Sequence, residues 1–363
     1  MEGSLVFSLI AFLTLFFFAL AAKITVYRPL FFLLIASLAL YILFFTTTNN
    51  ALLDSMIGGW TATVTLYASD YLVLTTDVQQ ELHKSDQQVG RISEAPFQTR
   101  LKWAVALCFS PRGVGWAHQS VGTLPPRIYQ STRRIWMKIG LCLLLLDAGC
   151  ALNGVNPAFT SRTSITLYGF KWRFLSLLGF MMGTFSALNI QHCFFLLVTG
   201  ERDAPTLFGR LEDAYTVQRF WGKTWHQCLR KFLLSHGHFL AYRVLRLRRG
   251  SFQAFVVQLH TAFLISGFLH QLQEYSVTRQ WAHGSIIFFY SQAGAISLEH
   301  GIITVGKRLY FPAIFGRLVG YFWVLGWFTF ILPLWLDPMT RAGMFVVNPN
   351  KTVTFLVWKL LIG

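Results

Sequence analysis

The chain repeats one pattern: a run of about 20 mostly apolar residues, then a stretch where Lys and Arg return. A run of that length is what a helix needs to cross a hydrocarbon layer. The clearest runs are Ser4–Ala22, Leu30–Thr46, Trp136–Leu152, Phe174–Val198, Phe252–Gln271, Gly284–Val305 and Gly316–Leu336. Gly58–Leu74 is weaker, rich in Thr and carrying Asp70, but long enough for an eighth. Thr352–Leu361 is too short to cross and is expected at the interface. The expected fold is therefore all-α: one polytopic transmembrane helical bundle of about eight spans. No internal repeat and no soluble-domain boundary interrupts the 363 residues.

Composition agrees. Charged residues make up 13% of the chain, against roughly 25% in soluble domains. Yet 31 Lys and Arg against 15 Asp and Glu give a net charge of +16. Disorder is excluded, because it requires few apolar residues. A nucleic-acid partner is not expected, since the basic residues alternate with apolar runs and form no single arm. They concentrate instead in two long loops, 75–135 and 199–251, and again around Lys307, Arg308 and Arg317. The alternate loops are poorer: 47–57 has none and 272–283 only Arg279, although Arg162, Lys171 and Arg173 blur the loop after the fourth run. The positive-inside rule then puts both long loops in the cytoplasm. The first run is expected to be a span and not a cleaved leader. Its flanks are reversed for a signal peptide, with no Lys or Arg before it and Lys23 and Arg28 after it.

That orientation places the sequon Asn350-Lys351-Thr352 on the luminal side, as a glycan site or a chance triplet close to the membrane. The five Cys are scattered without a CxxC pair, so neither a disulfide framework nor a zinc site is expected. Metal chemistry finds little else to stand on. His236-Gly237-His238 is the one tight His pair, and there is no HExxH, Asp-rich pair or GxSxG elbow. No bound metal or cofactor is expected.

Ionisable groups inside spans are expensive and are functional candidates by default. They are Asp70, Asp147, His192, His260, His270, Glu299 and His300. His260 lies ten residues before His270, about 280° around a helix, so the two do not share one narrow face. His270, at the end of Ser266-Gly267-Phe268-Leu269-His270, is either a polar residue satisfied by another helix or a catalytic base. Ser266 and Gly267 leave room there for a ligand or a close neighbouring helix. The basic loop before this span also holds a dense aromatic block, Arg219-Phe220-Trp221-Gly222-Lys223-Thr224-Trp225-His226-Gln227.

This block resembles the FWGxxWHQ segment of fungal and plant wax-synthase-type proteins in the membrane-bound O-acyltransferase superfamily. Phe109–Trp116 is similar to their SPRGIGW segment, Leu124-Pro125-Pro126 follows at the expected distance, and Ser266–His270 resembles the pattern carrying the superfamily's catalytic histidine. The resemblance runs from about Gly58 onward. One departure is His226, where several branches have Asn; this leaves the second catalytic residue open.

The resemblance implies transfer of an acyl group from acyl-CoA, as co-substrate, to a hydroxyl. His270 would act as general base, in the neutral form that burial favours. His226, or alternatively Trp225, would supply a donor to the tetrahedral oxyanion. No covalent acyl-enzyme is needed, because a thiolate leaves readily. Trp221, Trp225, Gln227, Ser266, Asn189 and His192 are the expected acceptor-binding residues. Arg219, Lys223, Arg230 and Lys231 are candidates for the phosphates of CoA, or else only set topology and touch anionic lipid.

The expected partners are a hydrophobic alcohol, an acyl-CoA donor and the lipid bilayer, with no nucleic acid. Similarity to fungal acetyltransferases favours acetyl-CoA and a terpenoid or meroterpenoid alcohol, in the endoplasmic reticulum. Long-chain acyl transfer to a wax or sterol alcohol is the alternative, and 35 Phe suit either cargo. Two more distant rivals are a transporter, which predicts inverted repeats, and a membrane terpene cyclase relying on Asp70, Asp147 or Glu299.

Overall fold

A computed structural model describes residues 2–23, 26–85, 91–119, 124–308 and 312–362. Parts of the first long loop, 86–90 and 120–123, lie outside the described residues. The principal helices are α1 (Glu2–Ala21), α2 (Arg28–Phe45), α3 (Ala51–Ser69), α4 (Phe97–Cys108), α5 (Thr132–Val155), α6 (Phe170–Thr199), α7 (Arg230–His238), α8 (Phe252–Thr278), α9 (Gly284–Arg308), α10 (Ala313–Arg341) and α11 (Val353–Ile362). Among the described residues, seven helices are long and apolar enough to cross a membrane: α1, α2, α5, α6, α8, α9 and α10. These are the seven clear runs of the sequence. The eighth, expected over Gly58–Leu74, is helical too, but α3 is not among the seven; it begins earlier, where Asn50 accepts from Leu52 and Leu53 N–H, and it continues as a π-turn over Asp70–Leu74.

Most helices outrun their apolar cores because polar residues cap or extend them. The Ser131 and Ser251 side chains accept from Arg134 and Ala254 N–H, starting α5 and α8 at N-caps that hydropathy does not detect. The last turns of α8 continue past Gln271 because Gln271, Glu274 and Ser276 are buried there among polar partners. The long loops are also more structured than their charge suggests, since they contain α4 and α7.

The chain divides into two compact units. Unit 1 comprises Met1–Gly122 and Gln227–Gly294. In it α1 packs on α2 and α4, α3 packs on α2 and α8, and α7 packs on α8. Phe12, Phe16, Leu20, Ile35, Tyr71, Trp103, Leu107 and Phe232 form its buried core. Unit 2 comprises Thr123–His226 and Ala295–Gly363. There α5 and α6 form the main pair, with α10 against α6 and α11 against α5. Small residues let the α5–α6 pair close: a Cβ at Gly179 would fall 2.2 Å from Asn153 Oδ1. A short antiparallel ribbon, β1 (Arg127–Tyr129) with β2 (Asp203–Pro205), pairs Ile128 with Ala204 at the feet of these helices.

Candidate active site

The two parts of the sequence expected to carry the chemistry belong to different units. His270 lies in unit 1 and the Arg219–His226 block in unit 2, while Gln227 opens the second segment of unit 1.

In unit 1, His270 is half-buried on α8, and its ring stacks on Phe289 of α9, with centroids 4.3 Å apart and planes 6° from parallel. Its Nδ1 lies 3.0 Å from Gln273 Oε1. Gly267 answers the question left by the sequence about the room beside His270. A Cβ there would fall 3.0 Å from Ile286 Cα, so this glycine admits the backbone of α9. Ser266 beside it is buried. His260 sits edge-on to Tyr290, so both α8 histidines meet an aromatic ring of α9.

The start of α7 lies in the same unit. Lys231 Nζ is 2.8 Å from Asp70 Oδ2 on the π-turn after α3 and 3.1 Å from Ser235 Oγ. Arg230 Nη1 donates to Gln227 Oε1 at 3.1 Å, and burial disfavours the guanidinium's charge without removing it. Tyr67 OH donates to the Cys228 carbonyl, tying α3 to the residues after the aromatic block. His236 places Nδ1 2.7 Å from the Phe232 carbonyl and Nε2 3.0 Å from Ser69 Oγ. The tight His pair of the sequence therefore contributes one ring to helix packing.

In unit 2, the aromatic block is a π-turn, Phe220–Thr224, closed by Trp225 N–H donating to the Phe220 carbonyl at 2.7 Å. Phe220, Trp221 and Trp225 form a cluster with Phe208 and Phe328, and His226 meets the Trp225 and Phe208 rings. Three supports hold this turn. Glu299 accepts from Val217 N–H at 2.6 Å, Gln218 N–H at 3.1 Å and Trp323 Nε1–H at 2.8 Å. Arg219 pairs with Asp213 and lies over the Tyr215 ring. Gly209 N–H donates to the Thr224 carbonyl, and a Cβ at Gly209 would fall 2.1 Å from the Lys223 carbonyl oxygen. Lys223 itself is exposed. Asn189 is buried on α6 and donates to the Phe185 carbonyl one turn back, while His192 lies along the Phe195 ring.

The remaining candidates are structural in their geometry. Asp147 accepts from Val353 and Thr354 N–H at 3.1 and 2.8 Å and so caps α11. Asp70 faces Lys231, and Glu299 caps the segment leading into the aromatic block. The three carboxylates a cyclase would need as acids are thus each engaged by N–H or ammonium donors. The Asn350 sequon sits in a tight turn where Thr352 is buried and donates its hydroxyl to the Pro349 carbonyl.

Sequence reasoning missed Gln273, Ser55 and Asp213, and gave Glu299 no link to the aromatic block. Only the i, i+3 spacing of His270 and Gln273 offered a local signal. Ser55 and Glu299 act across 81 to 218 residues of sequence separation, and Asp213 pairs with Arg219 six residues further on.

Residues 204–291 match the membrane bound O-acyl transferase family. "Acetyltransferase eriL" of Hericium erinaceus is 33% identical over 340 residues, 88% of this chain and 86% of that protein. "Acetyltransferase ple2" of Rhodocybe pseudopiperita is 33% identical over 308 residues, 80% of this chain and 79% of its own. No solved structure matches the chain. The chain belongs to the membrane-bound O-acyltransferase family. It is a multi-pass membrane acyltransferase, a class that takes its acyl group from acyl-CoA and passes it to an acceptor.

Proposed function

We propose that this enzyme transfers the acetyl group of acetyl-CoA to a hydroxyl of a hydrophobic terpenoid or meroterpenoid alcohol. The observation that carries the reading is the pair of relatives named acetyltransferases, each matching at 33% identity over most of the chain. His270 is the general base: an imidazole in a helix bundle, held between a ring and a carboxamide. His226 or Trp225 donates to the oxyanion. Trp221, Gln227, Ser266, Asn189 and His192 are assigned to the acceptor side.

CoA phosphates approach from the cytoplasm, where both basic loops lie in this reading. Arg219 and Lys231 already hold Asp213 and Asp70. Exposed Lys223 and the partly engaged Arg230 are therefore the stronger cations for phosphate. The membrane is that of the endoplasmic reticulum.

The test uses microsomes from a heterologous host expressing wild type or His270→Ala, given labelled acetyl-CoA or palmitoyl-CoA and a panel of terpenoid and long-chain alcohols. The expected result is a labelled acetyl ester that falls by about 10²–10⁴-fold in a well-expressed His270→Ala protein. Transfer from palmitoyl-CoA alone would replace acetyl transfer with wax- or sterol-ester synthesis. Equal product from both proteins would remove His270 from the mechanism.

A further inference from the structure

Gln273 makes two hydrogen bonds with opposite ends of one carboxamide. Its Nε2 donates to Ser55 Oγ on α3 at 2.9 Å, and its Oε1 lies 3.0 Å from His270 Nδ1. An amide oxygen accepts and cannot donate. A ring nitrogen facing it makes a hydrogen bond only when it carries the proton. We infer that Gln273, oriented by Ser55, holds His270 in its Nδ1-protonated tautomer and thereby makes Nε2 the basic nitrogen. Gln273 is a positioning residue in this scheme, and the inference rests on the reading of His270 as general base.

The surroundings are built for that arrangement. Residues 270 and 273 share a helix face. The flat stack on Phe289 restrains the imidazole from turning about its bond to Cβ. Two adjacent glycines bring α3 within reach. A Cβ at Gly58 would fall 2.2 Å from Ser276 Oγ, and one at Gly59 would fall 3.2 Å from the Gln273 carboxamide carbon. Ser55 stands one turn before Gly59 and is buried. The Gly58-Gly59 pair therefore sets the distance at which Ser55 meets Gln273.

The reaction balances through Nε2. As the acceptor oxygen attacks the thioester carbonyl, its proton passes to Nε2 and a C–O bond forms. The C–S bond then breaks, and Nε2–H returns the proton to the departing CoA sulfur as a free thiol. Nδ1–H stays on Gln273 throughout and stabilises the transient imidazolium.

The direct test needs no acceptor. The full chain, labelled with ¹³C,¹⁵N-histidine and reconstituted in lipid bilayers, is measured by solid-state NMR; the His270 signal is the one lost in His270→Asn. The expected result is an Nδ1-protonated ring in wild type and a mixed or Nε2-protonated ring in Gln273→Leu. An Nε2-protonated ring in wild type, or an unchanged tautomer in Gln273→Leu, would overturn the inference. Kinetics supply the second readout. Gln273→Leu should lower kcat about 10- to 100-fold with little change in KM for acetyl-CoA. Gln273→Glu, which keeps an acceptor at Nδ1, should restore most of the rate and move the low-pH limb of kcat to higher pH. Should Gln273→Leu fail to fold, Ser55→Ala provides the same tautomer measurement. Acetyl transfer surviving in His270→Ala would sink the base itself. A dead His270→Ala beside a normal Gln273→Leu would sink only the positioning role.

Discussion

The two units each bury a carboxylate beside a segment proposed to take part in the chemistry, and they stabilise it differently. In unit 1, Asp70 is fully buried and is matched by the ammonium of Lys231, 2.8 Å away. In unit 2, Glu299 is 6% exposed and is matched by two backbone N–H groups and an indole N–H. The first solution joins two side chains and fixes where α7 starts. The second joins a side chain to the backbone and fixes the entry to the Phe220–Thr224 turn. A charge pair is sensitive to losing one member, because the survivor remains as an uncompensated charge. A capping carboxylate fails more gently, since its donors are neutral.

That contrast can be broken experimentally. Lys231→Met should cause the largest loss, on the order of 3–5 kcal/mol, by stranding Asp70. Adding Asp70→Asn to Lys231→Met should recover most of it. Both effects are read from Tm and from the yield of monodisperse protein in detergent. A double variant no better than the single would show that Lys231 acts by another route. Glu299→Ala should cost less, about 1–3 kcal/mol, because it leaves neutral N–H groups unsatisfied. Its activity loss should nevertheless exceed that of a surface variant of equal Tm, because it frees Val217 and Gln218 just before the aromatic block. Activity that merely tracks Tm would make Glu299 a stability residue only.

The same contrast explains what the sequence disclosed. Apolar runs of span length located seven helices with every end within seven residues of the observed one, because burying backbone in an apolar medium leaves helix as the only economical form. The Phe220–Gln227 block was visible because aromatic density in a basic loop is rare. Its supports were not visible. Glu299 reads as one more intramembrane acid until α9 places it beside Val217 and Gln218. Asp147 reads as a candidate acid until α11 presents two N–H groups to it. Gln273 has nothing unusual in its local sequence, and its partner Ser55 lies on another helix. Identity of residue type was legible in these cases; the partner was fixed only by tertiary packing.

The smallest expected effect concerns His118, in the turn after Gly113, and it tests whether unit 1 tolerates further positive charge near Lys231. Both ring nitrogens of His118 are buried without a hydrogen-bond partner among the described residues. Gly113, at φ +63°, approaches so closely that a Cβ there would fall 2.8 Å from the ring. Burial, reinforced by the charges of Lys231 and His83, pushes the imidazole from its ordinary 6.5 down to about 4. Between those two values the unfolded chain binds a proton that the folded chain refuses. Stability from this group is therefore fully present above pH 6.5 and is lost as pH falls from there toward 4. Wild type should lose Tm between pH 7.5 and pH 5, whereas His118→Phe should lose less, having no proton to take up. Because neither ring nitrogen gives up a bond to a described residue, the substitution itself should cost little at pH 7.5. Parallel acid limbs in the two proteins would assign the loss to another group and leave the Lys231 neighbourhood indifferent to added charge.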